Sequence, residues 1–89
     1  METIVIRVSG RVQGVGFRYY VYKVAHQLSV KGIVKNCTNG DVYIEAEADS
    51  DALHQFIGMC RIGSSRSVVD DVLVGEIESV GYSTFEIVG

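Results

Sequence analysis

The apolar pattern changes period once within the first 28 residues, and that change limits the folds open to this chain. From Thr3 to Ser9, Ile4, Ile6 and Val8 alternate with Val5, Arg7 and Ser9, which is the period-2 signature of a half-buried strand. Gly10 to Gly16 then holds three glycines in seven residues and interrupts the alternation. Beyond it, Phe17, Val21, Val24, Ala25 and Leu28 share one helical face, while Arg18, Tyr22, Lys23 and His26 point elsewhere. A strand therefore passes through a glycine-rich turn directly into a helix that ends near Ser29.

The same alternation of elements recurs in the second half. Gly32 to Asn36 reads as a short strand, and Asn39-Gly40 as a hairpin turn whose two central residues take positive φ. Val42, Ile44, Ala46 and Ala48 alternate with Tyr43, Glu45 and Glu47 to give a third strand. Asp49-Ser50-Asp51 supplies a capping side chain and acids suited to a helix N-terminus. Leu53, Phe56, Ile57 and Cys60 form the apolar face of that helix, with Arg61 near its end. Gly63 to Ser67 is a polar loop, a fourth strand lies within Val68 to Val80, and Phe85 to Val88 is a short fifth. The order is β-α-β-β-α-β with a short terminal strand. Each helix has one apolar face, so both are expected on one side of a mostly antiparallel sheet. This is an α+β fold, the ferredoxin-like α/β sandwich, with one domain over residues 1–89.

Length and composition are consistent with that plan. With 89 residues, 47% apolar and without proline, the chain is long enough for one thin core. No apolar run is long enough to cross a membrane, and Met1 to Gly10 lacks the pattern of a secretory leader. Two cysteines make no disulfide framework, so a cytoplasmic, reduced compartment is expected, with a Cys37–Cys60 bridge left open by sequence. The net charge of −3 hides an asymmetry. Residues 1–40 carry six basic residues against Glu2 alone, whereas residues 41–89 carry Arg61 and Arg66 against ten acids. An anionic ligand is therefore expected in the first half.

The glycine-rich turn is where such a ligand would sit. Gly10-Arg11-Val12-Gln13-Gly14-Val15-Gly16-Phe17-Arg18 joins a strand end to a helix start. Glycines let backbone N–H groups converge into a nest, and a helix N-terminus adds free N–H groups. Arg18 adds a permanent planar donor. The same elements also fit a tight turn beside a solvated arginine. A Walker loop is excluded, because Phe17-Arg18 stands where Lys-Ser/Thr would be. A dinucleotide fingerprint is excluded, because Tyr19 stands where its third glycine would be.

Val8-x-Gly10-x-Val12-Gln13-Gly14-Val15-x-Phe17-Arg18 resembles the first signature of the acylphosphatases at every defined position. Gly32-Ile33-Val34-Lys35-Asn36-x-x-x-Gly40-x-Val42 resembles their second. The likeness extends over nearly the whole chain in length and element order. It departs at Ile33, where the family usually has an aromatic residue, and at Ala48, where it has glycine. It departs again at Ser29-Val30, where the family has a helix-ending Gly-Leu.

The resemblance implies hydrolysis of an acyl phosphate to a carboxylate and inorganic phosphate. Arg18 and Asn36 are the implied catalytic residues. The phosphate would be held by Val12, Gln13, Gly14, Val15, Gly16, Phe17 and Arg18. Neither metal nor cofactor is implied, and a small-molecule substrate is expected to be met by a monomer, with neither nucleic acid nor membrane as partner. Strand geometry independently puts Asn36 at the sheet edge that carries the loop: the first helix returns the chain to the far edge and the second strand brings it back. On its own, Asn36 before a hairpin reads as a turn initiator.

Other residues carry blander expectations. His26 and His54 lack metal-ligand spacing. Cys60 reads as core and Cys37 as accessible. Tyr19, Tyr20 and Tyr22 either line the site mouth or pack on the helix flank, packing being the favoured reading, and Asp70, Asp71, Glu76 and Glu78 are expected to be solvated. An RNA-binding sheet face is disfavoured by Glu45 and Glu47 flanking Tyr43. A metallochaperone would need Cys-x-x-Cys, which is absent.

Overall fold

A computed structural model describes residues 1–89. The elements are β1 (Glu2–Arg11), α1 (Phe17–Gln27), β2 (Lys31–Asn36), β3 (Val42–Ala48), α2 (Ser50–Ile62), β4 (Val68–Ile77) and β5 (Phe85–Ile87). They form one five-stranded sheet in the order β4-β1-β3-β2-β5. All neighbours are antiparallel except β2 and β5, which are parallel. This is the ferredoxin-like α+β fold read from the sequence.

The period-2 residues of the central strands point into one core. Ile4, Ile6 and Val8 of β1, Val34 of β2, and Val42, Ile44, Ala46 and Ala48 of β3 are all buried. They meet Phe17, Val21, Val24 and Ala25 of α1 and Leu53, Phe56 and Cys60 of α2. Both helices therefore cover one face of the sheet. Phe56 and the β5 residue Phe85 close the middle of that layer edge to face, with ring centroids 6.0 Å apart.

The helix ends follow local chemistry. The Asp49 carboxylate accepts from Ala52 N at 2.9 Å and caps α2. The end of α1 is closed by Val30 N donating to Ala25 O at 2.8 Å and Ser29 N donating to His26 O, the Schellman pattern. Its left-handed position is filled by Ser29 (φ 56°), the one non-glycine residue with positive φ. The departure from the family's glycine is thus accommodated by strain rather than by another turn.

Two expectations need correction. In the β2–β3 connection only Gly40 takes positive φ, not Asn39. The five-residue loop is closed by Cys37 N to Asp41 O at 2.8 Å, and the Asn39 side chain accepts from Asp41 N at 3.0 Å. The longer loop removes the need for two left-handed residues. Glu47, expected on a solvated sheet face, is buried. The β4–β5 connection folds over it, and its carboxylate accepts from Thr3 Oγ1, Ser79 Oγ and the backbone N–H groups of Val80, Gly81 and Tyr82. Those donors, Thr3 first, hold its pKa down to about 2.

Candidate active site

The loop between β1 and α1 is built to leave donors free. A bulge between Ser9 and Gly10 shifts the β1–β4 register and ends the ladder at Arg11. Gly14 and Gly16 then take left-handed conformations, at φ 73° and 76°. A side chain at Gly16 would be strained whatever the space around it. Gly16 is also the N-cap of α1, and no side chain caps the helix. As a result, none of the backbone N–H groups from Gln13 through Tyr19 donates to another group of the protein. A run of unpaired N–H groups ending in a helix N-terminus suits an oxyanion.

The loop is held from both ends. Val12, Val15 and Phe17 are buried in the core. Ser64 Oγ donates to Val15 O at 3.1 Å. Gln13 Nε2 donates to Cys37 O at 2.8 Å and to Asp41 O at 2.9 Å, tying the loop to the β2–β3 connection. Val12, Gly14, Gly16, Phe17 and Arg18 line one cavity of about 200 Å³ with Tyr19 and Ile87. Gln13 and Val15 do not line it, because their side chains are engaged in this anchoring. Nothing in the local sequence signals the anchoring role of Gln13, which depends on a loop far along the chain.

Arg18 is half-buried, and its Nη1 donates to the backbone oxygen of Gly89. A guanidinium has five N–H donors, so this contact leaves most of its fork available. Asn36 ends β2 and stands in one register row with Val42 of β3 and Val8 of β1. It alternates with buried Val34 and so lies on the helix-covered face. Its Oδ1 is buried and without a hydrogen-bond partner. A buried orphan acceptor is costly and uncommon. Asn36 is not among the residues lining the Arg18 cavity. It borders a second groove on the open face with Arg7, Lys35, Cys37, Thr38 and Tyr43.

Val34 pairs with Ile87 in the parallel β2–β5 ladder. The strand that ends in Asn36 therefore runs beside the one that leads to Gly89, the residue that Arg18 contacts.

The open face beside them carries a row of charges on an aromatic ring. Arg7, Tyr43 and Lys35 are neighbours in register, and both cations lie over the Tyr43 ring, at 5.8 and 5.4 Å. Arg7 also meets Asp41 at 3.5 Å. The Tyr43 hydroxyl donates to Glu45, which pushes its pKa up to about 12.

The tyrosines of α1 divide. Tyr20 packs against the core and its hydroxyl donates to Met59 O at 2.8 Å. Tyr22 is also partly buried. Tyr19 fits both readings: it stacks on Tyr22 along the helix, yet it is 60% exposed and lines the Arg18 cavity. Both cysteines are free; Cys60 is buried, with its pKa raised to about 12 by that burial. No group of three or more His, Cys, Asp or Glu side chains is arranged to hold a metal ion. No helix is long and apolar enough to cross a membrane.

The chain was compared with known proteins. The sequence profile of the family described as Acylphosphatase matches residues 4–87. A protein of Thermotoga maritima named Acylphosphatase is 46% identical over 87 residues, covering 98% of this chain and 97% of its own. The crystal structure of acylphosphatase from Bacillus subtilis superposes with a TM-score of 0.97 at 43% identity, over 100% of both chains. An acylphosphatase structure from Coxiella burnetii gives 0.93 at 36% identity, covering 97% of this chain and 90% of that one.

Proposed function

The chain belongs to the acylphosphatase family, and from that premise we propose that it hydrolyses carboxyl-phosphate mixed anhydrides, with Arg18 and the Val12–Arg18 loop binding the phosphate and Asn36 directing the water. The observation that carries this reading is the run of unpaired N–H groups from Gln13 through Tyr19, ending beside Arg18. It is a site for a tetrahedral anion and offers no general base.

The chemistry suits so sparse a site. Water attacks phosphorus in line with the acyl oxygen. The new O–P bond forms as the bond between phosphorus and the acyl oxygen breaks, and the electron pair leaves on a carboxylate. The water proton passes to a phosphate oxygen, so R–CO–O–PO₃²⁻ and water become R–COO⁻ and H₂PO₄⁻. A carboxylate is a good leaving group, and such transfers depend chiefly on positioning and charge stabilisation. Loop N–H groups and the Arg18 fork supply fixed positive poles for the equatorial oxygens. Asn36 supplies an amide whose Oδ1 has no protein partner to compete with a water. An amide does not deprotonate water at neutral pH, so its role is orientation.

The test is hydrolysis of an aryl acyl phosphate by the wild type, Arg18→Ala and Asn36→Ala. Arg18→Ala loses both turnover and competitive inhibition by inorganic phosphate. Asn36→Ala loses kcat and keeps phosphate inhibition within about twofold. Chelators leave the rate unchanged. Wild-type activity in both variants refutes the assignment.

A further inference from the structure

Neither the resemblance nor the phosphate loop says anything about the acyl half of the substrate. The cavity that holds Arg18 does. At about 200 Å³ it extends past the loop and Arg18 to residues that offer a phosphate no donor. Its floor is Val12 and Phe17, both buried, and its donors are the Gly14–Gly16 backbone and Arg18. The remaining two lining residues, Tyr19 and Ile87, keep large apolar surfaces open, 60% and 41% exposed.

These two come from different elements and meet only through the fold. Tyr19 is on the first turn of α1. Ile87 is on β5, on the same strand face as buried Phe85 and so on the side that α1 covers. The Tyr19 ring is not free to swing away. It stacks on Tyr22 with centroids 6.2 Å apart and planes 16° off parallel, and Lys23 Nζ lies 5.4 Å from its centroid. A ring held against two neighbours while its outer face stays open to solvent is placed to meet a ligand with less ordering cost than a free side chain. Apart from Arg18 and the Tyr19 hydroxyl, only apolar side chains and glycine line the cavity, so a strongly polar acyl group would be desolvated there with few new partners.

We infer that Tyr19 and Ile87 form an acyl subsite, which makes this chain selective for acyl phosphates with a planar aromatic or branched apolar acyl group over those with a small one. The inference rests on the acyl phosphate reading above. The contact exists in substrate and transition state alike, so it acts through KM rather than kcat.

The experiment measures kcat and KM for benzoyl phosphate and acetyl phosphate with the wild type, Tyr19→Ala and Tyr19→Phe. Taking the ratio of kcat/KM for the two substrates within each protein, and comparing that ratio between proteins, removes the difference in their intrinsic reactivity. The expected result is a ratio about three- to tenfold lower in Tyr19→Ala, from a raised KM for benzoyl phosphate. Tyr19→Phe keeps the ratio, and inhibition by inorganic phosphate stays within twofold in both. An unchanged ratio in Tyr19→Ala overturns the subsite while leaving the hydrolase reading standing. A wild type that cleaves neither substrate overturns both.

Discussion

Replacing Asn36 by alanine should cut activity while leaving stability nearly unchanged. Its Oδ1 is buried at the end of β2 and no protein group donates to it. Alanine therefore breaks no hydrogen bond within the protein and loses only side-chain packing, a change of about 1 kcal/mol or less. For a chain of this size, net stability is roughly 4–13 kcal/mol, and 1 kcal/mol moves Tm by about 4–8 °C. The same change removes the group proposed to orient water. Misplacing a reacting partner by an ångström costs about 10²-fold, or about 2.7 kcal/mol of barrier. Thermal unfolding followed by circular dichroism reads the first effect, and hydrolysis of benzoyl phosphate reads the second. An Asn36→Ala protein with Tm lowered by far more than about 8 °C and undiminished kcat would falsify the reasoning, because the amide would then be a structural member of the turn.

Three further perturbations probe the scaffold. Glu47 has a folded pKa of about 2 against an ordinary 4.5, so its contribution is full above pH 4.5 and lost as pH falls toward 2. Tm should drop across that window in the wild type and much less in Glu47→Gln, and equal acid sensitivity in both would contradict this. Ser29→Gly relieves the left-handed strain at the end of α1 (φ 56°) and should stabilise by about 0.5–1 kcal/mol in urea titration, a loss of stability being the contrary result. Gly32→Ala should prevent folding or lower Tm severely, since φ is +147° and the new Cβ would fall 1.8 Å from Glu45 O; a Tm within a few degrees of wild type would mean that β2 and β3 can separate there.

Most of the fold was legible in the sequence because burial imposes periods. The alternation of Ile4, Ile6 and Val8, and the helical spacing of Phe17, Val21, Val24 and Ala25, report which side of each element faces the core. The capping role of Asp49 was legible because it is settled within four residues. Glu47 misled for the complementary reason. Its place in the strand pattern marks it as facing away from the helices, and it does, but the β4–β5 connection covers that face and satisfies its carboxylate. No local pattern encodes which loop crosses a sheet face.

The candidate site divides along the same line. The sequence by itself marked the Gly10–Arg18 turn as either an anion nest or a tight turn, because glycine positions and a helix start without a capping side chain are local properties of the chain; the structure shows its N–H groups from Gln13 through Tyr19 unpaired. It also determined that Asn36 ends its strand at the same sheet edge, because strand and helix rise per residue are constants. Only the tertiary structure decided what surrounds those groups. It set Gln13 against the Cys37–Asp41 turn, Gly89 against Arg18, and Ile87 opposite Tyr19. Each of these contacts joins residues more than twenty positions apart, where the register of β5 on β2 and the packing of α1 against both choose the neighbour. The proposed phosphate end of the cavity is thus written in consecutive residues, and the proposed acyl end exists only once the sheet has closed.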